Sequence, residues 1–236
     1  MVRRSLWFAS VVSVSLVGCK PPRIELDPHL AANAPEQPAE GVTWAQFRKP
    51  VKFGAYTGTI TKGGFTAEKK MKVGPYERNE TRQKFEFTMT GGTPSAWTGA
   101  CNYGEADQSV LFPISDEAAF VCTLVPQGAS GWQLQLASEG GMYRSKTLKG
   151  TLTDGTTTLS VTMLHKLQGA MLPSDRPVGY ELREAGGKAV AAVQIANPPI
   201  VWIDPSLPGE LQTAIAAAAF GLLLSGNAVD DLNAPD

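Results

Sequence analysis

From Ala214 to Leu224 the chain carries eleven residues without a polar side chain, and Ala216 to Ala219 are all alanine. A surface helix shows an apolar stripe and a polar face, so a helix that is apolar all round has to be buried all round. At 1.5 Å per residue the run reaches only roughly 16 Å, against about 30 Å of bilayer hydrocarbon. It therefore reads as a core helix, over about 208–226, with Ser206 as its N-cap and Gly226-Asn227 as its stop. Burial on every side is most simply met by a sheet that closes around it.

The chain before the helix reads as strands. Phe85, Phe87 and Met89 alternate with Lys84, Glu86 and Thr88; Trp132, Leu134 and Leu136 alternate with Gln133, Gln135 and Ala137. Such alternation marks half-buried strands. Asp154-Gly155 and Gly186-Gly187 sit between strand patterns as hairpin turns. Parallel pairing would need long crossovers, which are missing. The expected fold is all-β with one buried helix: a closed, mostly antiparallel β-barrel of about 10–12 strands around a hydrophobic C-terminal helix. Trp97, Trp132 and Trp202 are expected to fill its core, with Trp44 packed over one end.

The N-terminus reads as an export signal. Arg3 and Arg4 make a positive start, Leu6 to Leu16 form an apolar stretch, and Leu16-Val17-Gly18-Cys19 closes it with small residues before the cut. That tetrad resembles the lipobox of bacterial lipoproteins. The resemblance implies removal of residues 1–18 and diacylation of Cys19; an ordinary signal peptide with a chance cysteine is the alternative. Two acyl chains hold a protein stably on a bilayer where one holds it marginally. Lys20 stands where many inner-membrane lipoproteins carry Asp, which favours the outer membrane and leaves its face open. Residues 19–48, with Pro21, Pro22, Pro28, Pro35 and Pro38, read as a disordered tether, 49–226 as the barrel domain and 227–236 as an acidic tail.

Loss of Arg3 and Arg4 moves the formal net charge from −1 to −3, which argues against a nucleic-acid partner. Cys101 and Cys122 are an even pair in an exported chain and should form a disulfide. A metal pair is the alternative, but two cysteines without a nearby histidine do not complete a zinc site. No cofactor or metal is expected.

Chemistry has few candidates. His29 lies in the tether and His165 ends a strand, and no Gly-x-Ser-x-Gly elbow, His-Glu-x-x-His helix or phosphate-binding glycine loop occurs. Any hydrolytic triad would have to use His165. Acids such as Asp107, Asp116 and Glu117 have no spacing that selects a catalytic pair. From Lys62 to Lys84 seven cations face three acids. Lys69, Lys70, Lys72, Arg82 and Lys84 are the candidate anionic-surface site, with Lys70, Lys72 and Lys84 expected on one face; a solvated barrel exterior is the plain alternative.

The hairpin Tyr180 to Ala191, the strand Ile200-Val201-Trp202-Ile203 and the apolar helix Leu211 to Leu224 together resemble the tubby C-terminal-like superfamily, which includes phospholipid scramblases and the plant LURP-one-related proteins. The resemblance implies a twelve-stranded barrel enclosing a hydrophobic C-terminal helix. It covers about fifty residues, with no Asp-x-Asp cluster for a scramblase calcium site and no basic residues that match the tubby lipid contacts one by one. The expected function is a non-catalytic, membrane-anchored envelope lipoprotein. It would bind a protein, an envelope polymer or an anionic lipid surface through the barrel exterior or loops. A lipocalin-like carrier, which needs an open lumen, and a hydrolase built on His165 are the alternatives.

Overall fold

Side chains that alternate in polarity give each strand one apolar and one polar face, and a ring of such strands can bury every apolar face at once. A computed structural model describes residues 21–42, 49–73, 76–108, 118–139 and 147–232. Side chains are placed for these except at 64–83, 105–108, 118–119, 139 and 226–232. Its strands are β1 (Gln37–Pro38), β2 (Val51–Phe53), β3 (Tyr56–Val73), β4 (Tyr76–Thr90), β5 (Ala96–Gln108), β6 (Ala118–Pro126) and β7 (Trp132–Glu139). After these come β8 (Thr147–Thr153), β9 (Thr158–Leu164), β10 (Gly179–Arg183), β11 (Ala189–Gln194) and β12 (Ile200–Ile203). The helices are α1 (Pro28–Asn33) and α2 (Gly209–Leu232).

The twelve strands form one sheet in the order β1-β12-β11-β10-β9-β8-β7-β6-β5-β4-β3-β2, with every neighbour antiparallel. Its two ends meet. The Glu40 amide donates to the Lys52 carbonyl at 2.8 Å and the Lys52 amide to the Glu40 carbonyl at 3.0 Å. Closure of this kind removes sheet edges that would otherwise pair with other chains.

Phe85, Phe87, Met89, Leu134 and Leu136 point inward and are buried, whereas Glu86, Thr88, Gln133 and Gln135 are exposed. An apolar inside and a polar outside is the reverse of a membrane-spanning barrel, whose lipid-facing band is apolar. Among the described residues no helix is long and apolar enough to cross a membrane.

The lumen is occupied by α2. Ala214 to Phe220 and Leu222 to Leu224 are buried against the inward-facing side chains. The Phe220 ring lies 4.8 Å from Phe53 and 6.0 Å from Phe87, centroid to centroid. Two glycines let helix and wall approach. A Cβ on Gly58 would strike the Phe220 ring, and one on Gly221 would stand 2.9 Å from Cys122 Sγ and 3.3 Å from Cys101 Sγ. The helix does not stop at Gly226-Asn227; it runs to Leu232, through most of the expected acidic tail.

Cys101 and Cys122 are directly opposed in the β5–β6 register, their Cα atoms 4.1 Å apart and their sulfurs bonded. The bond closes a separation of 21 residues, which in the chain-entropy account stabilises by roughly 3 kcal/mol. The double variant Cys101→Ala, Cys122→Ala is expected to lose that much unfolding free energy and so to unfold at a lower urea concentration. A midpoint unchanged from the oxidised protein would remove the bond from the stabilising interactions.

The expected tether is the largest correction. Residues 21–42 are packed: Ile24 and Leu30 are buried, α1 contacts β11, and Gln37 and Pro38 form the strand that completes the ring. The reason lies in β10, β11 and β12, which are buried on both faces. Their outward Ala189, Ala192, Ile200 and Trp202 form a second apolar cluster with Ile24 and Leu30. A segment too poor in apolar residues to fold alone folds as a strap over a surface that needs covering. Trp202 therefore sits beneath the strap, outside the lumen, whereas Trp97 and Trp132 belong to the inner core. Trp44 lies outside the described residues.

Candidate functional site

The strap is fastened at three points. At the first, Gln194 is fully buried on β11. Its Oε1 accepts from the Ile24 amide at 2.9 Å, and its Nε2 donates to the Pro22 and Pro198 carbonyls at 3.1 and 2.7 Å. A buried amide with both ends satisfied holds backbone in register at little desolvation cost.

The second point is an acid. Asp204 follows β12, and its side chain is 2 % exposed. Its Oδ1 accepts from the Ser206 hydroxyl at 2.6 Å and the Ser206 amide at 2.9 Å. Its Oδ2 lies 2.8 Å from His29 Nε2, on α1, and 2.9 Å from Lys188 Nζ. The Ser206 hydroxyl, opposed by burial and aided by His29 and Lys188, holds the Asp204 carboxyl well below the usual carboxylate range. Ser206 thus turns back to Asp204 and is not the N-cap of α2, which starts at Gly209.

A histidine, an acid and a serine in one cluster invite comparison with a nucleophilic triad, in which the histidine lies between the acid and the hydroxyl and takes the hydroxyl proton. Here the carboxylate lies between the histidine and the hydroxyl. The serine proton is given to the acid, no base is placed to remove it, and the cluster fastens α1 to the β12–α2 turn.

The third point borders a groove of about 360 Å³ between the strap and β9–β10, lined by Glu25, Asp27, His165, Lys166, Glu181 and Arg183 among others. Arg183 has all its directions in use: Nε donates to Glu181 at 2.6 Å, one terminal nitrogen to Asp27 at 3.0 Å and the other to the Gly187 carbonyl at 2.6 Å. Lys166 pairs with Glu25 at 2.6 Å. Every carboxylate of the lining is thereby engaged by a cation. His165 Nδ1 lies 3.1 Å from the Ser174 carbonyl, which can only accept, so Nδ1 carries a proton. Nε2 has no hydrogen-bond partner among the described residues. Among the described residues no Ser, Thr or Cys lines the groove, so none of them offers His165 a hydroxyl or thiol there to deprotonate.

Asp107 lies on β5, where only its backbone is described, across from Asn79; Asp116 and Glu117 lie outside the described residues. No group of three or more His, Cys, Asp or Glu placed to hold a metal occurs among the described residues. Cys19 also lies outside them. The lumen that a carrier would need is filled by α2, which removes the support for that reading.

Of the basic candidates Lys84 has a described side chain, and it is exposed. The hairpin register sets Lys70 across from Asn79 and Lys72 across from Glu77. Lys69 stands across from Glu80 and Arg82 across from Ala67.

No family model, curated protein or solved structure matches the chain.

Proposed function

We propose that the protein is a lipid-anchored lipoprotein of a bacterial envelope, on the outer membrane, that performs no chemistry of its own. It binds a protein, an envelope polymer or an anionic lipid surface on the outside of its barrel. The filled lumen carries this reading: with α2 inside the ring, a ligand has only the outer wall, the loops and the strap to bind. The lipobox-like tetrad ending at Cys19 supports the anchor. Twelve strands around a C-terminal helix accord with the resemblance to the tubby C-terminal-like superfamily. For an acidic partner, Lys69, Lys70, Lys72, Arg82 and Lys84 are the basic positions offered.

Cys19→Ser tests the anchor. The wild-type chain, expressed with its signal, should incorporate labelled palmitate and fractionate with membranes; the variant should do neither and be recovered in the soluble envelope fraction. A variant that stays on the membrane without label would place the attachment elsewhere and end the lipoprotein reading. Crosslinking of the anchored wild type in its own membranes, followed by identification of the crosslinked species, then names the partner.

A further inference from the structure

We propose that the loop between β9 and β10 dips its tip, Ala170 to Pro173, into the same bilayer leaflet that holds the acyl chains of Cys19, and so fixes how the barrel sits on the membrane. This rests on the anchor reading, and the experiment below separates the two.

Among the described residues Met171 and Leu172 are the most exposed large apolar side chains, 98 % and 79 % exposed, with Val125 next at 41 %. Two adjacent apolar residues held in water beside Ala170 and Pro173 mark a surface that meets something apolar. The loop that carries them is not slack. Its base is closed by the Val178 amide on the Leu164 carbonyl at 2.8 Å and the Ser174 amide on the His165 carbonyl at 2.6 Å. The His165 ring donates to the Ser174 carbonyl at 3.1 Å, and the Arg176 amide donates to Ser174 Oγ at 3.1 Å. The Ala170 amide closes a turn onto the Leu167 carbonyl at 3.1 Å, beside Gly169 at φ +77°. A pinned loop presents its tip in a fixed direction, so little ordering entropy is lost when the tip is buried.

The strap decides what the tip meets. Ile24 bridges to Leu167, the Gln168 amide donates to the Arg23 carbonyl at 2.7 Å, and the Glu25 amide donates to the Lys166 carbonyl at 3.1 Å. Arg23 is thus fixed to the loop base. Three residues separate it from Cys19, and even fully extended the four steps between them span only roughly 14 Å. A bilayer that holds acyl chains on Cys19 must come that close to the loop. Without the long tether, the barrel cannot stand away from its anchor.

The drive is apolar. Arg23 and Lys166 are ion-paired with Glu36 and Glu25, and Asp175 stands next to Arg176. Insertion should therefore withstand added salt, unlike attraction to anionic headgroups.

The test uses full-length Leu172→Trp, extracted from its own membranes and reconstituted into phosphatidylethanolamine and phosphatidylglycerol vesicles, with or without bromine on the acyl chains. After subtraction of the parent's tryptophan emission, the introduced indole should be blue-shifted and lose roughly half or more of its emission to the brominated chains, at low and high salt alike. Adding Met171→Asp should cancel the quenching while the protein still floats with the vesicles. Equal emission in brominated and plain vesicles, with the protein bound, overturns the proposal and leaves the anchor standing. A blue shift seen in native membranes but not in pure lipid overturns it too, since the tip then docks on a protein. The mass of the Cys19 peptide reports acylation separately. An unacylated chain that is still quenched on pure lipid upholds the tip and removes the anchor; one that is not quenched overturns both.

Discussion

Ala217→Asp is expected to leave no folded barrel. Ala217 is fully buried on α2, inside a ring of strands with no solvent on any side. The described side chains packed in this core are Phe, Leu, Ile, Val, Ala, Met, Trp, Tyr and the disulfide, with no cation among them to pair with a new carboxylate. Burying an unpaired charge costs several kcal/mol even after relaxation and water entry. If the acid stays protonated to escape that cost, it is still a polar group moved into an apolar interior, and the added atoms need room where the packing is close. Total stabilities of 5–15 kcal/mol are typical of single domains, so one such change consumes most or all of the margin. Ala218→Asp should do the same, because Ala218 is equally buried. Near-ultraviolet circular dichroism and a urea titration decide the matter. A cooperative transition within about 1 kcal/mol of wild type at both positions would show that α2 is not the core.

That prediction follows almost from the sequence alone, and the reason is physical. A fully apolar helix and a set of alternating strands constrain each other, since neither can bury its apolar face without the other. The strap was not legible in this way. Its prolines and small residues lack an apolar period, and only two of its side chains, Ile24 and Leu30, go fully under. One local signal was present: Asp27 accepts from the His29 amide at 2.9 Å as an N-cap, with Pro28 in the first turn. The other half of the signal was tertiary. β11 is buried at every position, and a strand buried on both faces in an antiparallel sheet requires a cover that the helix inside cannot supply. The run of Ala189 to Val193 held that information. The Asp204 cluster was hidden for a related reason, because His29 and Asp204 are 175 residues apart and meet only once the strap is in place.

Asp204→Ala should loosen the strap and leave the barrel core intact. The substitution removes the acceptor of four contacts, from the Ser206 hydroxyl and amide, His29 and Lys188. Hydrogen bonds to charged groups are worth roughly 1.5–3 kcal/mol each, but His29 and Lys188 are partly exposed and regain water when released. The expected net loss is about 3 kcal/mol, with Asp204→Asn falling between the variant and wild type. The dependence on pH distinguishes this cause from lost packing. The carboxyl of Asp204 is depressed in the folded protein by the Ser206 hydroxyl first and by His29 and Lys188 after it. A depressed acid contributes its full stabilisation above its unfolded pKa of about 3.9 and loses it progressively as pH falls below that value toward its folded one. Wild type and Asp204→Ala should therefore differ by a constant amount from pH 7 down to about 5, and the gap should narrow steadily as the medium is acidified further. Urea midpoints across that range measure it. A gap that stays constant to the lowest pH at which both proteins fold would mean that the site acts through shape and not through charge. Hydrogen exchange locates the change: amides of residues 24–42 should exchange faster in the variant, while those of β4 to β7 keep their protection. Because the strap also supplies β1, further loosening opens the seam between β1 and β2. A residue that helps to fasten the N-terminal segment thus also helps to keep the barrel closed.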